Sequence, residues 1–190
     1  MILTGNEDLR VVKTIESIKN VFEELICEKE YEKITVKELC DRARINKKTF
    51  YHYYPTLNDL LAELQFEISS AYIEKVKDFK LPEEIKKVNL VFFEFSCSQG
   101  MMFERITASS GSFGYIRQQM INKVVSETWD KSVSFRNLDL FTKGVLLEYV
   151  NSINLNIYRR WLADGKRAPK EKLVELSNAL TCDGLYGVLK

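Results

Sequence analysis

Histidine is almost absent: His52 is the only one in 190 residues. A Ser-His-acid triad, a Cys-His dyad or a two-histidine zinc site would have to be built around that single imidazole or not at all. Neither a Gly-x-Gly-x-x-Gly nor a P-loop string occurs, so the usual marks of a nucleotide-binding loop are missing too. The 27 acids leave carboxylate pairs conceivable, but context singles none out. The expectation is therefore no enzyme, no catalytic residue, no metal site and no cofactor. No apolar run reaches about 18 residues, and residues 1–9 lack a basic stretch followed by an apolar one, so neither a membrane span nor a signal peptide is expected and the chain is placed in the cytoplasm. Cys27, Cys40, Cys97 and Cys182 are far apart and form no Cys-x-x-Cys pair, which suits reduced thiols. Each is open to two readings, a buried packing residue or a redox sensor. Repeats, low-complexity tracts and strand-like alternation are also missing.

What remains is a nearly neutral chain, net charge +1, with 45% hydrophobic residues, enough for one large domain or two small ones. Its apolar residues recur at helical spacing. Val12, Ile15, Ile18, Phe22, Leu25 and Ile26 describe a first amphipathic helix. Pro55 and Thr56 open another, containing Leu60, Leu61, Leu64, Ile68 and Tyr72 and reaching about Phe79. Pro82 and Gly100 punctuate the middle, residues 109–114 form the clearest loop, and Gly165 to Pro169 separate the last two helices.

Between the first helix and Pro55 lie two short helices joined by a three-residue turn. Thr35 caps the first, with Glu38 placed to complete a capping box. Leu39, Cys40 and Ala43 give it a small apolar face, Ile45 plugs the corner and Asn46 caps the second helix. At 100° per residue, Phe50 and Tyr54 point to a core, whereas Lys48, Tyr51 and His52 cluster opposite, flanked by Lys47 and Thr49. Lys47 and Lys48 oppose the positive end of the helix dipole, at a cost of a few tenths of a kcal/mol that a polyanion removes. From Lys33 to Tyr54 six cations face two acids, a local +4, so the remainder carries about −3.

Residues 34–43, then 45–54 and on to Leu60 and Leu61, resemble the signature of TetR-family transcriptional regulators. The resemblance implies an all-α chain. Residues 1–54 would be a three-helix DNA-binding domain with its helix-turn-helix at about 35–54, and residues 55–190 a helical ligand-binding and dimerisation domain. Carried over position by position, it has Thr35 touching a phosphate, Lys47, Lys48 and Tyr51 meeting bases or adjacent backbone, and Thr49, His52 and Tyr53 mostly holding phosphates. The chemistry agrees for most of them, since lysine donates to guanine and neutralises phosphates while hydroxyls supply neutral donors. Two positions depart from the family. Arg44 stands where glycine is common, so a positive φ there costs roughly 1 kcal/mol or the turn shifts. Leu57 stands where the family often has a phosphate-binding lysine, and it donates nothing.

Toward the C-terminus, Leu138, Phe141, Val145, Tyr149, Ile153, Ile157 and Trp161 form one stripe on a helix over about 138–163, and Leu173, Leu176 and Leu180 give the last helix its own face. Two readings are open: the faces close the chain's own core, or they pair with a second copy. In TetR-like regulators the final two helices form a four-helix bundle across a two-fold axis, and a palindromic operator needs two recognition helices. The homodimer interface is accordingly assigned to Phe141, Val145, Tyr149, Ile153, Ile157, Trp161, Leu173, Leu176 and Leu180. The middle is rich in Phe92, Phe93, Phe95, Met101, Met102, Phe103, Phe113, Tyr115, Trp129 and Phe135. Residue by residue these read as ordinary core, while the resemblance implies an inducer pocket among them for a small apolar or amphipathic effector, with no lining residue assignable. The expected function is a ligand-responsive repressor on double-stranded operator DNA. The alternative is a TetR-like coactivator or adaptor working through a protein partner.

Overall fold

The computed structural model describes residues 8–108 and 128–184; the expected loop at 109–114, with Phe113 and Tyr115, lies outside them. The described residues are helical and contain no strand: α1 Leu9–Glu28, α2 Val36–Ala43, α3 Lys47–Tyr53, α4 Leu57–Val76, α5 Ile85–Ser98, α6 Gly100–Ala108, α7 Val133–Arg136, α8 Leu140–Ala163 and α9 Lys170–Asn178, which widens into a π turn over Ala179–Asp183. Short 3-10 turns stand at Tyr31–Lys33 and Trp129–Lys131. None of the described helices is long and apolar enough to cross a membrane.

The chain divides into two compact units, Met1–Ile68 and Ser69–Lys190. The first is built on α1, whose Ile15, Ile18, Phe22 and Leu25 are wholly buried at the spacing expected of one helical face. Leu39 and Cys40 of α2 and Phe50 of α3 close onto that core, which includes Tyr54, Leu60, Leu61 and Leu64. The unit thus extends past Tyr54 into α4. Each fully buried Leu, Ile or Phe contributes roughly 1.5–3 kcal/mol. Polar anchoring is added by Glu63, which pairs with Lys19 at 2.9 Å and accepts from the Tyr54 hydroxyl at 3.2 Å. Burial then pushes the Tyr54 phenol up to about 12.

In the second unit, α5 packs on α8 and α9 around two apolar clusters. One gathers Leu81, Trp129, Phe135 and Val150; the other Phe93, Tyr158, Trp161 and Leu173. A buried polar clasp joins the three helices. The Asn89 amide donates to Asn178 and Thr181, each at 3.0 Å, and accepts from Asn154 at 2.9 Å, while Ser177 donates to Asn154. Because every bond in it is directional, the clasp sets the register of α9 against α5 in a way that apolar packing alone does not.

Candidate nucleic-acid interface

Thr35 begins α2 as expected: its hydroxyl oxygen accepts from the Glu38 N–H at 3.2 Å. The reciprocal arm of the capping box is not made. The Glu38 carboxylate instead takes the Lys29 ammonium at 2.7 and 2.8 Å and Arg42 at 3.2 Å, because the end of α1 brings a full charge nearer than the Thr35 amide. These bonds hold the Glu38 carboxyl below its ordinary range. At the other end of α2, Arg44 adopts the left-handed conformation (φ 55°, ψ 41°). The Arg44 and Ile45 N–H groups both donate to the Cys40 carbonyl, the second at 3.0 Å. The turn therefore keeps the shape that favours glycine, and arginine bears about 1–2 kcal/mol of strain there. Ser17 of α1 donates to the Ala43 carbonyl at 3.3 Å, fixing α2 on α1.

Asn46 caps α3, accepting from the Thr49 N–H at 2.8 Å and from the Thr49 hydroxyl at 3.1 Å. Phe50 and Tyr54 lie in the core, 0% and 1% exposed, as the spacing predicts. Lys47, Lys48, Tyr51 and His52 are exposed, and Thr49 and Tyr53 are half-buried. Tyr51 meets Phe50 edge-on at 5.5 Å, so a core ring steadies an outward phenol. His52 and Tyr53 meet edge-on at 4.9 Å. The two threonines differ in what they offer a phosphate. The Thr35 hydroxyl accepts its cap bond and keeps its proton for donation, whereas the Thr49 proton is committed to Asn46.

Ion pairing sorts the six cations of this segment. Lys33 pairs with Glu30 at 2.7 Å, and Arg42 with Glu28 at 2.7 Å and Glu38 at 3.2 Å. Lys37, Arg44, Lys47 and Lys48 have no ion-pair partner among the described residues, and all four are exposed. Uncompensated charge is thus confined to α2, the turn and the first turn of α3. Lys37 escaped individual notice in the sequence. Its signal was its place on α2, on the side opposite Leu39.

The expected assembly residues separate into two sets. Trp161 and Leu173 are core, 8% and 3% exposed, and the Trp161 indole donates to the Ala168 carbonyl at 2.8 Å. Both also form part of the wall of an open groove between α8 and α9. Ile153, Ile157, Leu176 and Leu180 line the same groove, mainly apolar and about 510 Å³ in volume, with Arg160, Asp164 and Lys172 among its polar members. Phe141, Val145 and Tyr149, at 80%, 53% and 43% exposure, continue along α8 beyond that groove. Tyr149 is fixed there by donation to the Leu180 carbonyl at 2.6 Å.

In the aromatic middle, Phe93, Phe95, Trp129 and Phe135 are core, whereas Phe92, Met102 and Phe103 are half-buried and Met101 is exposed. Tyr72 meets Phe95 at 5.4 Å and Phe92 at 6.2 Å, and burial raises its phenol well above the usual range. Gln65 of α4, only 2% exposed, has no hydrogen-bond partner for either amide atom among the described residues. A glutamine at core spacing, four residues after Leu61, was the signal for it. Among the described residues no group of three or more His, Cys, Asp or Glu is placed to hold a metal ion.

Residues 23–64 match the family model of bacterial regulatory proteins, tetR family. Solved structures share the fold over most of the chain. The fatty acid degradation regulator FadR from Bacillus halodurans superposes with a TM-score of 0.65 at 16% identity, covering 90% of this chain and 96% of that one. FadR of Thermus thermophilus, a TetR-family repressor solved with lauroyl-CoA, gives 0.61 at 14% identity over 90% and 94%. The dihydroxyacetone kinase operon activator DhaS gives 0.52 at 19% identity over 91% and 96%. No curated protein sequence is significantly similar to the chain.

Proposed function

Because the chain is a transcriptional regulator of the tetR family, we propose that it represses transcription as a homodimer on a palindromic operator and that a small apolar or amphipathic effector releases it. The observation that carries this reading is that, of the six cations between Lys33 and Tyr54, four (Lys37, Arg44, Lys47 and Lys48) are exposed and have no ion-pair partner among the described residues. Lys19, Lys29, Lys33 and Arg42 are each neutralised by a neighbouring acid, so the helix-turn-helix keeps the net positive charge of the four unpaired cations for a polyanion. Thr35, Lys47, Lys48, Tyr51, His52 and Tyr53 are the proposed contacts. Thr49 joins them by exchanging its bond to Asn46 for one to phosphate.

The groove between α8 and α9, extended by Phe141, Val145 and Tyr149, supports the dimer. An apolar surface along a helix about 36 Å long is of the size that a specific interface of more than about 1,000 Å² requires. Release works through α4. Leu60, Leu61 and Leu64 of that helix are buried in the same unit as Phe50 of α3, which supports a change in α4 reaching α3. An effector achieves this only by binding the released geometry more tightly, by about 5.5 kcal/mol for a near-complete switch. Such a ligand raises the melting temperature and lowers operator affinity together.

DhaS is an operon activator with this fold, and Val133 and Leu140 remain exposed at 61% and 87%, which favours a second reading as an activator or adaptor that engages a protein partner. Transcription in vitro from a promoter selected by the purified chain separates the two. Repression predicts that added chain lowers transcript and that effector restores it; a rise in transcript supports the second reading instead.

A further inference from the structure

Arg44 is the only residue of the helix-turn-helix held at positive φ. The conformation is forced, since two successive N–H groups must reach the Cys40 carbonyl to close α2 before Asn46 caps α3. Glycine adopts it without strain, and asparagine is the next most tolerant residue. The arginine side chain is not there for packing, because it is exposed, nor for an internal bond, because it has none among the described residues. Two residues earlier, Arg42 is held by both Glu28 and Glu38. What distinguishes Arg44 is a free guanidinium in the same run of chain as the unpaired Lys47 and Lys48.

We propose that Arg44 binds a DNA backbone phosphate, so that the turn itself grips the duplex beside α3. The forked guanidinium matches phosphate oxygens better than an ammonium does, and strain retained at one exposed position fits a residue kept for its ligand. The proposal rests on the DNA-binding reading above, and its test keeps the two apart.

The test is Arg44→Gly, which removes strain and charge at once and so drives two measurements in opposite directions. Its melting temperature should rise. Its affinity for a random-sequence DNA duplex should fall about tenfold per bound chain near 0.1 M salt, and the slope of log K against log salt should shrink by about one unit per chain. Arg44→Asn, which tolerates the turn, should lose the same slope, whereas Arg44→Lys should keep it. If both neutral variants bind with unchanged affinity and slope while Lys47→Ala with Lys48→Ala weakens binding, the arginine proposal fails and the interface stands. If the native chain does not bind duplex DNA, both fail.

Discussion

Replacing Gln65 by leucine should make the protein more stable. The side chain is 2% exposed, and neither its amide nitrogen nor its oxygen has a partner among the described residues. An amide buried in that state costs about 1–3 kcal/mol by mutational measure, and leucine has nearly the same volume without the polar atoms. For a chain of this length each kcal/mol moves the midpoint by about 2–4 °C, so Gln65→Leu should melt about 2–12 °C higher in calorimetry without ligand. A variant that melts below the native chain would refute the reasoning, since the amide would then be bonded in the protein as it stands.

Burial first, then the like charge of Glu67, holds the Glu23 carboxyl above its ordinary 4.5, against the pull of Lys19. The folded state therefore takes up a proton more readily than the unfolded one, and stability is lost as pH rises from the ordinary carboxylate range. Glu23→Gln should accordingly raise the melting temperature at neutral pH and lose that advantage below about pH 4. Leu176→Asp should give a folded monomer by light scattering and circular dichroism. Trp161→Ala, which opens the core, should instead cost about 3–5 kcal/mol of folding stability. Asn46→Ala should cost about 1 kcal/mol by removing both cap bonds of α3, read as a lower urea midpoint.

Local signals were legible where a residue's role depends on its near neighbours in the chain. Thr35 and Asn46 cap as read, and Phe50 and Tyr54 turn inward, because i to i+3 and i+4 geometry is fixed by the helix itself. The partner of Glu38 was not legible, since Lys29 reaches it only once α1 and α2 have packed. The stripe along α8 was correctly read as apolar. Periodicity does not say what covers each turn, however, and Trp161 is buried while Phe141 stands at 80% exposure. The clasp of Asn89, Asn154 and Ser177 gave no sequence signal, because its members lie on three helices and are polar residues at core positions. Of the proposed DNA face, α3 was visible from charge and spacing. The division of six cations into paired and unpaired ones required the positions of Glu28, Glu30 and Glu38.

The most direct measurement is the salt dependence of DNA binding by the native chain and by Lys47→Ala with Lys48→Ala, on a duplex selected from genomic fragments. With two phosphate-neutralising lysines removed per chain, the slope of log K against log salt should shrink by about two units per chain, and affinity should fall steeply at low salt. An unchanged slope and affinity would contradict the account, because α3 would then not be the surface that meets DNA.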